Sequence, residues 1–111
     1  MHALIWRDRV VDPVRRDEVT QRLESGLLPL LHDLSGVCHS FLITLGEADV
    51  ACMAVCIDSS SAHAAEAPIT QWIGWHVAVL LAGEASIAFG EIVGQGQSEG
   101  IDSCRLTSSI E

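Results

Sequence analysis

Two side chains in the apolar stretch PITQWIGWHVAVLLA, residues 68–82, are the strongest candidates for chemistry. Trp72 and His76 are four residues apart, so a helix places them one turn apart on the same face. An indole ring there can stack on a flat aromatic ligand, and the imidazole beside it can donate a hydrogen bond or transfer a proton. The alternative interpretation makes Trp72 a core residue and His76 a buried, hydrogen-bonded histidine, and the sequence alone leaves both open.

Other aromatic and imidazole side chains are candidates for the same pocket. His39 and Phe41 are two residues apart in a segment with strand-like alternation, so both point to one face of a sheet. We predict His39 as a second catalytic candidate and Phe41 as a ligand contact, with a core or interface histidine as the alternative. Trp6, in the first strand-like segment, and Trp75, on the other side of the Trp72 helix, are the remaining ligand-binding candidates.

The cysteines and histidines do not form a metal-binding pattern. Cys52 and Cys56 share a strand face, but four residues of strand separate them by about 13 Å, too far to share one ion. Cys38 and His39 are consecutive strand residues that point to opposite faces, so they do not form a nucleophilic dyad. We therefore predict no metal and no cofactor, and we interpret all four cysteines, Cys104 included, as packing residues.

The charge and composition exclude several classes of partner. The formal net charge is −9, and no lysine or arginine lies between Leu23 and Cys104. Because phosphate backbones and anionic lipid surfaces attract basic proteins, we predict no nucleic-acid and no membrane partner. The apolar stretch at residues 68–82 is also shorter than the roughly 20 residues that cross a bilayer. Since the start of the chain does not read as a signal peptide, we expect a cytoplasmic protein with reduced thiols.

The periodicity of the apolar residues divides the chain into six predicted elements. Strands are predicted at residues 3–11, 37–45, 50–57 and 85–93, and helices at residues 14–34 and 68–82. Asp12 is the predicted cap of the first helix, in which Pro29 introduces a kink or a new turn. Residues 58–67 are predicted to be a loop or the frayed start of the second helix.

This order of elements, β-α-β-β-α-β, predicts an α+β, ferredoxin-like fold with a four-stranded antiparallel sheet and two helices on one face. Because the predicted strands carry apolar side chains on both faces, the face without helices needs a cover. Hydrophobic residues make up 49% of the chain and charged residues only 19%, which is typical of a protein that hides apolar surface in an oligomer. We therefore predict a homodimer formed through the sheet face.

Several marker residues occur in a recognisable order between residues 1 and 94. They are an early strand tryptophan (Trp6), a first helix that ends in LLPLLHDLSGV at residues 27–37, an antiparallel hairpin, a tryptophan-rich second helix and a closing strand after Gly-Glu. In this order the chain resembles the dimeric ferredoxin-like α+β barrels, the superfamily that includes antibiotic-biosynthesis-monooxygenase-like proteins.

The resemblance implies two subunits packed sheet against sheet, with a pocket in each subunit between the helices and the sheet. Members of the superfamily include cofactor-free oxygenases acting on aromatic polyketides, haem-degrading enzymes and many proteins without a known activity. The Asn-Trp-His set of the haem degraders cannot be assembled here, because the chain has no asparagine. What the resemblance implies for this chain is therefore the location of a pocket.

The predicted organisation is one ferredoxin-like α+β barrel domain at residues 1–94 and a flexible tail or partner-contacting arm at residues 95–111. The first functional hypothesis is a cofactor-independent, monooxygenase-like enzyme with a pocket for a small apolar or aromatic molecule. A non-catalytic small-molecule-binding protein and a purely structural homodimer are the alternatives. A cavity of roughly a few hundred Å³ would support the first two hypotheses, whereas a filled space between helix and sheet would support the third.

Overall fold

The computed structural model describes residues 1–94 and 96, which form one sheet and a set of helical segments. The strands are β1 (His2–Arg9), β2 (Val37–Leu45), β3 (Asp49–Cys56) and β4 (Ser86–Glu91). The α-helices are α1 (Arg16–Arg22), α2 (Leu28–His32) and α3 (Ser59–His76), and short 3₁₀ turns lie at Pro13–Arg15 and Ala78–Leu80. Apart from Gly96, the predicted tail at residues 95–111 lies outside the described residues.

The four strands are antiparallel and lie in the order β2-β3-β1-β4. With one helical unit after β1 and α3 after β3, this is the ferredoxin-like β-α-β-β-α-β arrangement, so the fold prediction is confirmed. The central strand β1 pairs with both β3 and β4, which places Trp6 between Cys52 and Ile87 in the register.

The core lies between the helices and one face of the sheet. Leu4 and Trp6 of β1 and Cys52 of β3 are almost completely buried there, on the alternating positions that share one strand face. The helices bury apolar side chains in the same cluster: Val19, Leu23, Leu27, Leu31, Ile69 and Ile73. Each fully buried side chain of this kind contributes about 1.5–3 kcal/mol relative to an exposed one.

The opposite sheet face carries apolar side chains that no helix of the described chain covers. Ile5, Phe41, Ile43 and Leu45 remain between 37% and 47% exposed there. The register sets Ile5 and Phe41 on either side of Met53, so the apolar strip formed by these five residues crosses three strands. An apolar second face is what the strand pattern predicts.

The first helical unit, residues 13–32, begins at the predicted cap and changes its winding in the middle. The Asp12 carboxylate accepts a hydrogen bond from the Val14 backbone N–H at 3.1 Å. A π-helical turn at Leu23–Leu27 joins α1 to α2, and Pro29 lies in the first turn of α2. Proline has no N–H to donate to the preceding turn, so the first helix cannot continue unchanged through Pro29. A new helix begins at this point, as the sequence predicts.

The helix α3 begins earlier than the sequence predicts. It starts at Ser59, where the Asp58 carboxylate caps it by accepting a hydrogen bond from the Ser61 backbone N–H at 2.7 Å. Of the two alternatives predicted for residues 58–67, the loop is wrong: these residues are the start of the helix, which is capped rather than frayed, and Pro68 lies inside it. Alanine has the highest helix propensity but adds little to a hydrophobic pattern, so periodicity alone does not reveal this part of the helix.

The same helix ends at His76 rather than at residue 82. Val77 leaves helical geometry, and the chain passes through a 3₁₀ turn. It then returns beside β1, where the Ala82 backbone N–H donates to the Arg9 carbonyl oxygen at 2.7 Å. This return segment, residues 77–85, closes one end of the space between α3 and the sheet.

Candidate functional site

A cavity of about 260 Å³ lies between α3, β1, β4 and the return segment. Trp6 and Ile87, which are cross-strand partners on β1 and β4, line it from the sheet. Apolar or small residues of α3 and the return segment line the rest: Ile73, Gly74, Ala78, Leu81, Gly83 and Ala85. The cavity occupies the place between helix and sheet where the sequence predicts a pocket.

Small residues keep this cavity open. Thr70, Ile73 and Gly74 are three and four residues apart, so they lie on neighbouring positions of one side of α3. A methyl group added at Gly74 would meet no atom within 4 Å. A filled space between helix and sheet would indicate a purely structural role, whereas an open one is what a ligand requires.

Asp8 also lines the cavity and is not among the residues predicted from the sequence. It is only 5% exposed, and it is the one buried charged residue in the described part of the chain. Its Oδ1 accepts hydrogen bonds from the backbone N–H groups of Arg9 at 2.7 Å and Glu84 at 3.1 Å. The signal in the sequence is the alternation of β1, which puts an aspartate on the same face as Leu4 and Trp6.

Trp72 and His76 share a face of α3, as predicted, but that face meets the first helical unit. Their ring centroids are 4.6 Å apart, and the ring planes are inclined at 31°. With Arg22, Ser25 and Gly26 they line a surface groove of about 350 Å³ between the two helical units. The structure therefore brings these two candidates together but sets them outside the helix–sheet cavity.

The groove depends on a close contact between Trp72 and Gly26. A methyl group at Gly26 would overlap the indole ring. The Arg22 guanidinium donates a hydrogen bond to the His76 backbone carbonyl oxygen at 3.1 Å, which ties α1 to the end of α3. The His76 side chain is exposed, so it is not the buried histidine of the alternative interpretation. Proton transfer by His76 stays a prediction, and its place is the groove.

The other predicted site residues are distributed over the molecule. His39 and Phe41 point to the sheet face that carries the apolar strip, with their ring centroids 6.4 Å apart. Trp75 is 74% exposed on the outer side of α3. Trp6 is the predicted residue that lines the cavity. Roles of His39, Phe41 and Trp75 in binding or catalysis stay predictions, because the structure places them away from both the cavity and the groove.

The described cysteines, Cys38, Cys52 and Cys56, are free thiols. Burial raises the pKa of Cys52 to about 11. Burial also raises the pKa of Cys56, with further contributions from the nearby Cys38 and Asp58. Because the thiolate is the reactive form, the two buried thiols are poor nucleophiles.

Within residues 1–94 and 96, no three His, Cys, Asp or Glu side chains come together as ligands for a metal ion. No helix in the same part of the chain is both long enough and apolar enough to cross a membrane.

Solved structures of other proteins share this fold. A protein of unknown function from Nitrosomonas europaea matches with a TM-score of 0.73 at 22% identity, covering 89% of this chain and 95% of that one. A monooxygenase from Streptomyces coelicolor in complex with nanaomycin D matches with a TM-score of 0.69 at 12% identity, covering 88% and 92%. A dimeric ferredoxin-like protein from an uncultured marine organism matches with a TM-score of 0.65 at 10% identity, covering 87% and 97%.

These matches decide the fold. By its fold, the chain is a ferredoxin-like α+β protein. Other matched structures are described as antibiotic biosynthesis monooxygenases, so the resemblance predicted from the sequence is confirmed for the fold. No protein-family model matches the sequence, and no curated protein matches it. At 22% identity and below, the likeness establishes the architecture, and the activity has to be argued from the residues of this chain.

Proposed function

We propose that this ferredoxin-like α+β protein binds a small aromatic molecule in the cavity between α3 and the sheet, and that it works as a homodimer. The observation that carries the proposal is the unfilled, largely apolar cavity of about 260 Å³ with Trp6 in its lining. Pockets for drug-sized ligands have volumes of about 300–1,000 Å³, so this one suits a ligand of one or two rings. The Trp6 indole offers a rigid surface against which a flat ligand can pack.

The activity that best fits this fold and pocket is a cofactor-independent monooxygenation. One matched structure is that of a monooxygenase in complex with nanaomycin D. In such a reaction a substrate CH₂ group and dioxygen give a carbonyl group and water, and the substrate supplies all four electrons. Binding without turnover is the alternative, and it is favoured by the location of His39 and His76 outside the cavity.

Support for the homodimer comes from the apolar strip on the sheet. Ile5, Phe41 and Ile43 are between 38% and 47% exposed in a single chain. Monomeric proteins rarely leave a large contiguous apolar patch in contact with water. A two-fold interface is self-complementary, so a second copy packed sheet against sheet covers both strips at once. One of the matched structures is described as a dimeric ferredoxin-like protein.

Tryptophan fluorescence locates a bound ligand. In a variant that carries Trp72→Phe and Trp75→Phe, Trp6 is the one remaining tryptophan, so quenching reports contact with the cavity lining. We expect saturable quenching of this variant by nitronaphthalene, an apolar two-ring quencher, after correction for absorption with a free tryptophan derivative. Saturable quenching of the wild type but not of the variant would place the ligand elsewhere and contradict the proposal.

Substitutions of Gly74 provide a matched control for the cavity. Gly74→Phe adds a ring beside the cavity and should prevent binding, whereas Gly74→Ala adds one methyl group in open space and should preserve it. Equal binding by the two variants would show that the ligand does not occupy the cavity. With a binding ligand established, dioxygen consumption separates an enzyme from a binding protein.

A further inference from the structure

Asp8 carries a buried carboxylate, and within the described residues one of its two oxygens has hydrogen-bond partners. Oδ1 accepts two backbone hydrogen bonds, from Arg9 and Glu84, whereas no hydrogen bond within the described residues reaches Oδ2. The residue is 5% exposed and lines the cavity together with Trp6. Oδ2 is not one of the sealed side-chain atoms that lack a partner, so it faces open space from which water or a ligand can reach it. A largely apolar pocket with one free acceptor is suited to orienting a ligand through a single polar contact.

The neighbouring arginines do not provide the missing partner. Alternation along β1 directs Arg7 and Arg9 to the other side of the strand. There the Arg7 guanidinium pairs with the Asp49 carboxylate at 2.5 Å, and Arg9 pairs with Glu84 at 2.7 Å. Asp8 borders both the cavity and an open surface groove that Arg7 and Arg9 also line. Neither guanidinium makes a hydrogen bond or ion pair with Asp8, so its Oδ2 remains available to a ligand.

We propose that Asp8 Oδ2 accepts a hydrogen bond from a hydroxyl group of the ligand. The cavity then selects small phenols, naphthols included, over the corresponding aryl ethers. This inference rests on the proposed ligand-binding function and names the polar group that the ligand must carry. A neutral phenol suits the site better than an ammonium ion, because an ammonium group has three N–H donors to satisfy and the site offers one free acceptor. The bond from its hydroxyl to a carboxylate is also short and strong.

A purely structural role for Asp8 leads to a different result. Its Oδ1 holds the backbone at Glu84, next to the start of β4, and this alone could explain a buried aspartate. Asparagine keeps an oxygen for the two backbone N–H groups but places an NH₂ donor where Oδ2 accepts. Asp8→Asn therefore preserves the structural contacts and removes the free acceptor.

Calorimetric titration of the full-length protein with 2-naphthol and 2-methoxynaphthalene tests the proposal. We expect the wild type to bind the naphthol about 10- to 100-fold more tightly than the ether, as expected for a hydrogen bond to a charged acceptor. In Asp8→Asn this preference should disappear, because the asparagine NH₂ group can donate to the oxygen of either ligand. Equal affinities in the wild type, or an unchanged preference in Asp8→Asn, would overturn the proposal.

The wild-type measurement decides the question even where the variant does not fold. Equal binding of both ligands removes the role of Asp8 but leaves the ligand-binding function standing. Binding of neither ligand contradicts the ligand-binding function itself, and the inference falls with it. Tighter binding of a naphthylmethylammonium ion than of the naphthol would overturn the choice of a hydroxyl group.

Discussion

At the scale of single residues, the buried thiol of Cys52 contributes most clearly to the expected response to alkaline pH, beside the smaller contribution of Cys56. It lies opposite Trp6 in the register and is fully buried, and burial raises its pKa from 9.0 to about 11. The chain contains no lysine and no tyrosine, so the side chains that most often titrate near pH 10 are missing. Above pH 9 the unfolded chain loses a proton that folded Cys52 still holds.

We expect the free energy of unfolding to fall between pH 9 and pH 11. The folded pKa is raised, so the stabilisation is complete below the unfolded value and is lost as the pH rises toward the folded value. A shift of this size corresponds to about 2 kcal/mol lost by pH 11. Urea unfolding under reducing conditions measures the decline, which Cys52→Ala should make shallower. An equally steep decline in Cys52→Ala would rule out this thiol as its source.

At the scale of elements, two glycines in helical segments have opposite surroundings. Gly26 lies in the π-helical turn of the first helical unit, and the Trp72 ring occupies the space that a side chain would need. Gly74, near the end of α3, faces open space. The close approach of the two helical units therefore requires a missing side chain at Gly26 but not at Gly74.

We expect Gly26→Ala to destabilise the protein by about 1–3 kcal/mol, because the indole ring or the helix has to move. Gly74→Ala should instead stabilise it by about 0.5–1 kcal/mol, since alanine loses less backbone entropy in a helix. Urea unfolding followed by circular dichroism compares the two variants directly. Effects of the same sign and size would show that the contact between Gly26 and Trp72 does not hold the helical units together.

At the scale of the whole molecule, assembly depends on which face of the sheet a strand residue occupies. Ile43 of β2 belongs to the apolar strip and is 38% exposed. Its neighbour Thr44 is also exposed but points to the opposite face, in register with Val50. The two residues therefore lie in the same strand and are both exposed in a single chain. In a dimer packed sheet against sheet, Ile43 lies in the interface and Thr44 does not.

We expect Ile43→Asp to yield monomers and Thr44→Asp to leave a dimer, because the first change buries a carboxylate in the proposed interface. Sedimentation equilibrium of the full-length chains gives the masses, and the wild type should have twice the mass of one chain. A monomeric wild type would contradict the homodimer. Dissociation of both variants would show that the effect belongs to β2 in general and not to the strip.

The architecture follows from the sequence wherever the pattern is local. The bounds of β2, residues 37–45, agree with the prediction, and Asp12 and Pro29 mark the start and the change of winding of the first helical unit. The alanine-rich start of α3 could not be predicted from this pattern. Hydrophobic periodicity indicates which residues are buried, and alanine contributes little to the periodic signal. The cap at Asp58 is the local signal that marks where the helix begins.

By itself the sequence determined which side chains share a face: Trp72 with His76 on a helix, and His39 with Phe41 on a strand. Only the tertiary structure decided what each face meets. The Trp72 face packs on the first helical unit, and Asp8 lines a cavity that no motif marks. The physical reason is that backbone geometry within one element sets the direction of each side chain, whereas the fit between elements depends on the volumes of residues far apart in the chain.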